Sequence, residues 1–452
     1  MKIVARWLVF LGCVLLFVPG PFGKTFGEVE RYGYLADIMP GDWGATNVWL
    51  DSTDCTLRHG VWLALCEDGK LIPISERAIA DDPGHALLLE AWSAATGRRA
   101  TLVDAARLNT LLNGAGLVAL AGLLFQLRAW LAALALLALG PNEYLFWMGT
   151  SPHWSYIGVV SLAAVLPLAL LARAEGLLGE RSAAVWIVAG LFFLAISALV
   201  RESIGIMGFA IALAALGWSG LKAPRSPSLG RGAKTVGLLF VAGGALLAFA
   251  APRWTVAARD AAFEVAPATR LQRHGLTHTL YLGLGFVENK FGIEYDDDYG
   301  ADVARRWGQD HGQEIIAFSP EYYRLMGTLY LERLVQDPLE VARIYVEKAR
   351  QLLVRPSIYP GPALGIVLGL ALVHFLAMTA WRAWRRIGFA QGFVVEAVSL
   401  GFFGLFVAQA VAALPSHMYA VPVSAFVLVL AGVIAESVLR ALWVLINKPA
   451  PR

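Results

Sequence analysis

Long apolar runs alternate with short polar connections along most of the chain, and two longer polar segments interrupt the alternation. Each apolar run has about the 20 residues that an α-helix needs to cross the hydrocarbon core of a bilayer. The pattern predicts an all-α polytopic membrane protein with about ten transmembrane helices. The predicted spans are residues 4–22, 107–126, 129–148, 153–172, 184–200, 203–219, 235–252, 361–381, 390–413 and 420–445.

The two long polar segments divide the chain into five regions. The first apolar run lacks a small-residue exit site, so we expect a retained signal anchor rather than a cleaved signal peptide. The regions are the anchor helix (1–22), a first outer loop (23–105), spans two to seven (106–252), a second outer loop (253–360), and the last three spans with a tail (361–452).

Basic residues cluster in the short connections after every second span, for example at Arg173, Lys222 and Arg385. By the positive-inside rule, both termini are predicted to be cytoplasmic and both long loops periplasmic, as in a protein of the bacterial inner membrane. Seven of the eight histidines fall on the periplasmic side, and His374 lies inside a span. We therefore expect the working face of the protein to be periplasmic.

The composition supports a membrane protein, since 58% of residues are hydrophobic and 16% are charged. The formal net charge is +3, from 37 basic and 34 acidic residues, without a polybasic tail. Membrane lipid is therefore an expected partner, and nucleic acid is not. Cys55 and Cys66 share the first outer loop and could form a disulfide in an oxidising compartment, whereas Cys13 lies in the first span.

The stretch GEVERYGYLADIMPGDWG at 27–44 places charges and aromatic rings just beyond the first span. At helical periodicity Glu28, Arg31 and Tyr32 share one stripe, and Glu30 lies on the other. A carboxylate near the bilayer is desolvated, which raises its pKa and makes it a plausible proton acceptor. The alternative is a solvated helix with an ion pair between Glu28 and Arg31.

Helix-start signals recur in both outer loops. In DDPGHALLLEAWSAATG at 81–97, Asp82 can cap, Pro83 fits a first turn, and apolar residues recur at helical spacing. This pattern predicts a helix on the membrane surface, with the two cysteines in an irregular segment before it. In the second loop, Ser319-Pro320 and Asp337-Pro338 each predict the start of a helix.

Further polar residues lie at the outer ends of spans. Arg201, in ALVRESIG between two spans, is costly so close to hydrocarbon and is a functional candidate, with a local ion pair to Glu202 as the alternative. Glu143, in GPNEYLFW, has the same standing. His417 and Tyr419, in LPSHMYAVP, lie at the mouth of the last span.

Two stretches of the second loop could contribute other chemistry. Asp296-Asp297-Asp298, with Glu294 and His278, could bind a divalent cation, but consecutive aspartates cannot all face one ion and a solvated turn is the favoured interpretation. We therefore predict no metal site.

The YLGLGF run at 281–286 could stack on a sugar, although a packed turn with close backbone approach is favoured.

A motif after the first span carries a family resemblance. Residues 31–39 follow the pattern R-Y-x-x-L-A-x-x-M, and Gly41-Asp42-Trp43 come next. This resembles the first outer loop of polyprenyl-phosphate-sugar transferases of the type C (GT-C) glycosyltransferase superfamily. The likeness is closest to bacterial enzymes that add aminoarabinose to lipid A, with protein O-mannosyltransferases as more distant relatives. DDPGHALLLEAW at 81–92 is similar to the proline-led surface helix of that family.

The resemblance implies an acid-base residue beside phosphate-binding groups. Glu28 stands where the family has its catalytic aspartate, Val29 replaces a second acid, and Arg31-Tyr32 matches the family's pair. Asp82 stands where the aminoarabinose enzymes carry a lysine. Such enzymes take a sugar from a polyprenyl phosphate and transfer it, with inversion, to an acceptor hydroxyl. This chemistry needs a carboxylate for the acceptor proton and cations for the departing phosphate.

The resemblance thus implies a GT-C-like fold without a cofactor, a polyprenyl-phosphate-linked sugar donor, and an envelope glycolipid, polysaccharide or protein as acceptor. The predicted catalytic residues are Glu28, Glu30 and Asp42. The predicted donor-phosphate ligands are Arg31, Tyr32 and Arg201. The predicted substrate-binding residues are Asp82, His85, His278, Tyr281, His417 and Tyr419.

Two other functions fit parts of the pattern. A polysaccharide polymerase or ligase of the O-antigen type would use the same lipid-linked donors, and its working residues would be Arg270, Arg273, His274 and His278 in the second loop. A non-enzymatic transporter is disfavoured, because charged residues inside spans are few and no pair of broken helices recurs between halves.

Overall fold

Helices dominate the structure, a computed structural model of the chain. Nine helices among the described residues are long and apolar enough to cross a membrane, which confirms a polytopic, predominantly α-helical membrane protein. The described residues are 2–27, 45–67, 69–74, 83–141, 157–222, 231–263, 275–356, 361–385, 391–415 and 421–446.

We number the α-helices of these residues in chain order. A π-helical turn (Val18–Phe22) follows α1, and a 3-10 turn (Leu284–Phe286) follows α10. The helices are α1 (Lys2–Phe17), α2 (Ala45–His59), α3 (Pro83–Thr96), α4 (Leu102–Gln126), α5 (Trp130–Leu139), α6 (Ile157–Ala174), α7 (Glu180–Val200), α8 (Glu202–Lys222), α9 (Arg231–Ala262), α10 (Leu276–Gly283), α11 (Asp297–His311), α12 (Pro320–Gln336), α13 (Pro338–Leu353), α14 (Leu364–Arg385), α15 (Gln391–Ala412) and α16 (Val423–Ile446).

Most predicted spans differ from the helices by a few residues at either end, and three differ further in length or backbone course. The third, 129–148, begins as the ten-residue helix α5, which is about 15 Å long and too short to cross a bilayer, while residues 142–156 lie outside the described part. The first apolar segment continues to Gly27 and has non-helical backbone angles at Gly20, between two prolines. Helix α9 runs ten residues beyond the predicted end at 252, with Pro252 inside it.

The centre of the helical bundle is α6, in which every residue from Ile157 to Ala172 is buried. It packs against α4, α7 and α8, and the apolar core extends from these helices to α15 and α16. A buried hydroxyl links two of these helices, since Ser197 Oγ of α7 donates to Val159 O of α6 at 2.9 Å. Small and branched apolar residues let the helices pack closely around α6.

The first long polar segment forms a small folded unit, which we call the first polar domain and define as the described residues between 45 and 101. Between α2 and α3 it contains a β-hairpin of β1 (Ala64–Glu67) and β2 (Lys70–Pro73), where an irregular segment was predicted. The fold is therefore not entirely α-helical. A disulfide joins Cys55 of α2 to Cys66 of β1, with Cα atoms 5.6 Å apart.

The second polar domain comprises residues 275–356 and contains α10 to α13. Its core includes Leu282, Met326 and Ile344. Both predicted helix starts are confirmed: Ser319 Oγ accepts a hydrogen bond from Tyr322 N at 3.3 Å, and Asp337 Oδ1 accepts one from Glu340 N at 3.0 Å. The sequence analysis predicted no start for α10 or α11, so the domain has these two helices in addition to the two that were expected.

Candidate functional site

The first turn of α3 lies directly against the end of α7. A Cβ atom on Gly84 would lie 2.6 Å from the carbonyl carbon of Leu199 and 2.8 Å from Val200 N, so only glycine permits this approach. Arg201 follows Val200 directly in the chain. The structure therefore brings the start of the proline-led helix and the predicted phosphate ligand Arg201 to one place, although they are distant in sequence.

Arg201 is the single residue between α7 and α8. Its backbone is extended (φ −150°, ψ 102°), and its N–H donates to Ser197 O at 2.8 Å. Its carbonyl accepts from Ile204 N and Gly205 N at 3.1 Å each. These bonds determine where the side chain leaves the corner, and the N-terminal end of α3 beside it adds positive potential.

A second cation joins the corner from α9. Arg253 Nε donates to Glu202 Oε1 at 3.0 Å, so Glu202, the expected partner of Arg201, has an ion pair across the helices. The Arg253 guanidinium also lies over the Phe249 ring, 5.7 Å from its centroid. The corner thus combines two arginines and one carboxylate with a helix N-terminus, an arrangement suited to an anionic group.

His85 lies on α3 one residue after Gly84 and is 4% exposed. Its ring stacks on Trp49 of α2, with ring centroids 4.6 Å apart and planes 16° apart. In this structure the predicted substrate contact therefore packs α3 against α2, and its side chain is turned into the first polar domain.

Helix α3 also carries a buried carboxylate that the sequence analysis missed. Glu90 is fully buried, and its Oε1 accepts from Leu63 N at 2.8 Å. Its Oε2 accepts no hydrogen bond from a described residue, because the nearby Ser52 and Thr56 hydroxyls donate to backbone carbonyls. Burial raises the pKa of Glu90 to about 7, although the Leu63 bond, the nearby Ser52 and Thr56 hydroxyls and the Arg259 charge oppose the increase.

The protein-facing side of α3 differs from the predicted apolar stripe. The buried positions are Ala86, Leu89, Glu90 and Ser93 with the first three residues, whereas Ala91 and Ala95 are exposed. Since Leu88 packs against the main core and Trp92 against the core of the first polar domain, the helix lies between the two. A predicted buried stripe that included Glu90 beside the apolar residues would have given this orientation of α3.

The proposed catalytic motif itself lies outside the described residues, but two of its neighbours are visible. Thr25 Oγ1, at the end of the first apolar segment, lies 3.4 Å from Pro141 O. The chain therefore enters the 28–44 stretch and the 142–156 stretch, which holds Glu143, from adjacent points. The predicted residues outside the described part are Glu28, Glu30, Arg31, Tyr32, Asp42, Asp82, His417 and Tyr419, together with Arg270, Arg273 and His274 of the alternative function.

His278 belongs to a buried polar chain in the second polar domain. Its Nδ1 lies 2.7 Å from Tyr322 Oη, and its Nε2 lies 3.1 Å from Asp297 Oδ1. Because a carboxylate only accepts, we assign the N–H to Nε2 and a donated bond from Tyr322 to Nδ1. Burial raises the pKa of Tyr322, which keeps its O–H protonated. His278 is 4% exposed and here connects α10 to α11 and α12.

The acidic triplet begins α11. Asp296 Oδ1 accepts from Asp298 N at 2.7 Å as the helix N-cap, and Asp297 bonds to His278. Acidic residues are favourable in the first turn of a helix, because they interact with its positive end. Over the part of the chain that the structure describes, no three His, Cys, Asp or Glu side chains group as cation ligands.

The YLGLGF run forms part of the contact between the second polar domain and the bundle, together with α13. Tyr281 is 3% exposed and belongs to the domain core, so it does not face solvent. A Cβ atom on Gly283 would lie 2.4 Å from Ala412 O at the end of α15. The packed turn, rather than a free sugar platform, is the arrangement that the structure has here.

Lys348 of α13 fastens this contact and was not singled out from the sequence. Its Nζ donates to Gly283 O (2.8 Å), Ala412 O (3.1 Å) and Ala413 O (2.8 Å), and the residue is fully buried. Burial lowers the pKa of Lys348 to about 7. The three carbonyl acceptors match the three N–H donors of an ammonium group, so these hydrogen bonds favour the charged form and oppose the effect of burial. In the sequence, Lys348 falls on the same helical stripe as Val341, Ile344 and Leu352, and this position could have identified it as buried.

His374 and Glu396 form an ionisable pair inside the membrane. His374 Nδ1 contacts Glu396 Oε1 between α14 and α15, and Glu396 is fully buried. The pair explains how the one histidine predicted within a span is accommodated, since an ionisable group in a bilayer needs a partner. It lies on helices that the predicted catalytic motif does not use.

Comparisons with known proteins identify no relative of this chain: no family model, no curated protein and no solved structure matches it.

Proposed function

We propose that this chain is a membrane glycosyltransferase that moves a sugar from a polyprenyl-phosphate donor to a hydroxyl of an envelope glycolipid, polysaccharide or protein. The proposal depends on the motif resemblance at 28–43 and 81–92. The observation that carries it further is the contact of Gly84 with Leu199 and Val200. This contact brings the second motif to Arg201, the cation selected independently from its cost near hydrocarbon.

The chemistry divides between two kinds of side chain. In the proposed step, the Glu28 carboxylate takes the proton of the acceptor hydroxyl as that oxygen bonds to the anomeric carbon. The bond from this carbon to the phosphate oxygen breaks, and the polyprenyl phosphate leaves with the electron pair. Arg31 and Arg201 stabilise its negative charge, and attack from the opposite side inverts the configuration.

The polar corner supports an active site at the ends of the spans on the proposed periplasmic side. Arg201, Arg253 and the start of α3 meet there. The points where the chain enters 28–44 and 142–156 adjoin each other. On the positive-inside topology all of these ends share the periplasmic side, where the long polyprenyl chain of the donor could remain in the outer leaflet.

Substitution of the proposed base tests the function directly. Glu28→Gln should lower transfer activity, or complementation of a deletion strain, by a factor of about 10² to 10⁴, the range expected for general-base catalysis. Glu332→Gln, which makes the same change at an exposed glutamate of α12, is the matched control and should retain full activity. The readout is the mass of envelope glycoconjugates from cells expressing each variant at equal level.

Two results would overturn the proposal. Full activity in Glu28→Gln, combined with loss in His278→Gln at unchanged thermal stability, would favour the polymerase or ligase function instead. A cysteine-accessibility map that places residues 45–101 in the cytoplasm would exclude both enzymes, because their lipid-linked donors present the sugar on the other side.

A further inference from the structure

A groove between α5 and α16 lies outside the proposed active site. Its volume is about 710 Å³, and its lining includes two arginines, Arg128 and Arg440, and two tryptophans, Trp130 and Trp443. The two helices touch closely elsewhere, since a Cβ atom on Gly432 would lie 2.4 Å from Ala132 Cα. The groove begins about one helical turn beyond this contact, at Glu436.

The walls of the groove are apolar and outward-facing. Leu439 is 56% exposed and Trp443 is 67% exposed, on a helix long and apolar enough to cross the membrane. Trp130 is held by stacking on Phe125, with ring centroids 5.6 Å apart. Tryptophans are enriched at the depth of lipid headgroups, where the indole ring contacts acyl chains and its N–H reaches polar groups.

The charges of the groove are predominantly positive. Arg440 pairs with Glu436 one turn earlier on α16. The Arg128 backbone N–H donates to Phe125 O at 3.0 Å, but its exposed side chain forms neither a hydrogen bond nor an ion pair with any residue that the structure describes. Two guanidinium groups and one carboxylate leave a net positive charge beside an apolar wall, which complements an anionic headgroup attached to an acyl chain.

The backbone at Arg128 is a second, independent observation. Arg128 has φ +64°, the left-handed conformation that follows the last turn of α4. Ala129 N donates to Leu124 O at 2.9 Å, which is the hydrogen bond of a helix end where glycine is the usual residue. A side chain here costs free energy that glycine would avoid, so the arginine has a use other than ending the helix.

We propose that this groove binds an anionic phospholipid, with its phosphate between Arg128 and Arg440 and an acyl chain along Leu439 and Trp443. The positive-inside topology puts the groove in the cytoplasmic leaflet, on the side opposite the sugar-transfer site. The inference does not depend on that site, because the groove is lined by residues of α16, by the start of α5 and by the turn before it.

Lipid titration of the purified full-length protein tests the inference. Native mass spectrometry would measure binding of phosphatidylglycerol and phosphatidylcholine with identical acyl chains. The wild type should prefer phosphatidylglycerol. In the double variant R128Q/R440Q the ratio of the two affinities should fall about tenfold, which is the effect of one charge-assisted hydrogen bond. R128K/R440K should retain most of it. R181Q, which removes an exposed arginine in the first turn of α7, should match the wild type.

Arg128→Gly separates lipid binding from helix capping. Glycine should leave the unfolding temperature unchanged or raise it, because it adopts the left-handed conformation without cost. The preference for phosphatidylglycerol should nevertheless fall in this variant. Equal binding of the two lipids by the wild type, or an unchanged preference in R128G and R128Q/R440Q, would overturn the inference. So would a dimer that L439A and W443A dissociate, because a second copy would then occupy the groove.

Discussion

The fully buried side chains of the two polar domains include one carboxyl group, Glu90, in the first and one amine, Lys348, in the second, and their hydrogen bonding differs. In the first, Glu90 has one backbone donor, and its second oxygen has no hydrogen-bond partner among the described residues. In the second, Lys348 donates to three carbonyls, two of which belong to the end of α15. The buried carboxyl group of the first domain thus lacks part of its hydrogen bonds, whereas the buried amine, where the second domain meets the bundle, has all of its own.

The difference indicates where each domain gains its stability. The first polar domain has a disulfide and a small core around Trp49, so it can tolerate an incompletely bonded carboxyl group. The second has no disulfide and is fastened to the bundle by Lys348 at its contact with Gly283 and Ala412. Its attachment therefore combines the Lys348 hydrogen bonds with the packing of α13, whose Leu352 belongs to the bundle core, whereas the first domain has a covalent bond and a core of its own.

Removal of the Lys348 amine should have the largest effect. Lys348→Ala leaves three carbonyls without their donor and opens a cavity, so we expect a loss of about 3–5 kcal/mol in the stability of the docked domain. Amide exchange should accelerate in α10 and at the end of α15. Lys290→Met is the control, because the exposed Lys290 forms only a surface pair with Asp337 at 3.4 Å and should cost less than about 1 kcal/mol.

The comparison would fail if Lys348→Ala left exchange in α10 and α15 unchanged. Lys348→Met keeps most of the buried stem without the amine, so it separates the lost hydrogen bonds from the cavity. If the methionine variant were as stable as the wild type, packing alone would hold the domain.

The disulfide should have the next largest effect, confined to the first domain. Reduction of Cys55–Cys66, or the variant Cys55→Ala/Cys66→Ala, removes a cross-link that closes a loop of separation 11. The chain-entropy relation gives a loss of about 3 kcal/mol. Limited proteolysis within 45–74 should accelerate, while α10 to α13 should be unaffected. Equal acceleration in both domains would show that they do not unfold independently.

Glu90 provides a pH test with a defined sign. Its pKa is 4.5 when unfolded and about 7 when folded, so the folded state binds more protons between these values. Stability of the first domain should fall as pH rises from 4.5 to 7, by about 2 kcal/mol. The folded pKa of Lys348 is instead below its unfolded value of 10.5, so the second domain should gain stability between pH 7 and 10.5. Glu90→Gln should abolish the first dependence and leave the second.

The sequence predicts features that depend on short stretches of chain. The helix starts at Ser319-Pro320 and Asp337-Pro338 were correct, because a cap and a proline act within one turn. The hairpin was missed, although Asp68-Gly69 between its strands is a common hairpin signal and Gly69 has φ +76°. Contacts between distant elements, such as Gly84 with Leu199 or Lys348 with Ala412, depend on packing that no local pattern encodes.

The candidate site shows the same division. Arg201 was selected because of its cost near hydrocarbon, and its corner is well defined by backbone bonds. The approach of α3 to that corner was not predictable, since it depends on the absence of a side chain at Gly84. Roles for Glu28 and Arg31 stay predictions, because they come from the motif alone.

The smallest predicted effect tests whether the second domain is stabilised locally as well as at its junction. Ser319→Ala removes the cap of α12, which should cost about 1 kcal/mol and loosen the first turn. That turn contains Tyr322, the partner of His278, so exchange should accelerate at the starts of α10 and α12 but not at Ala412. Ser319→Asp keeps an acceptor at the cap and should restore protection. If both variants loosened Ala412 as Lys348→Ala does, the junction and the helix cap would form one cooperative unit.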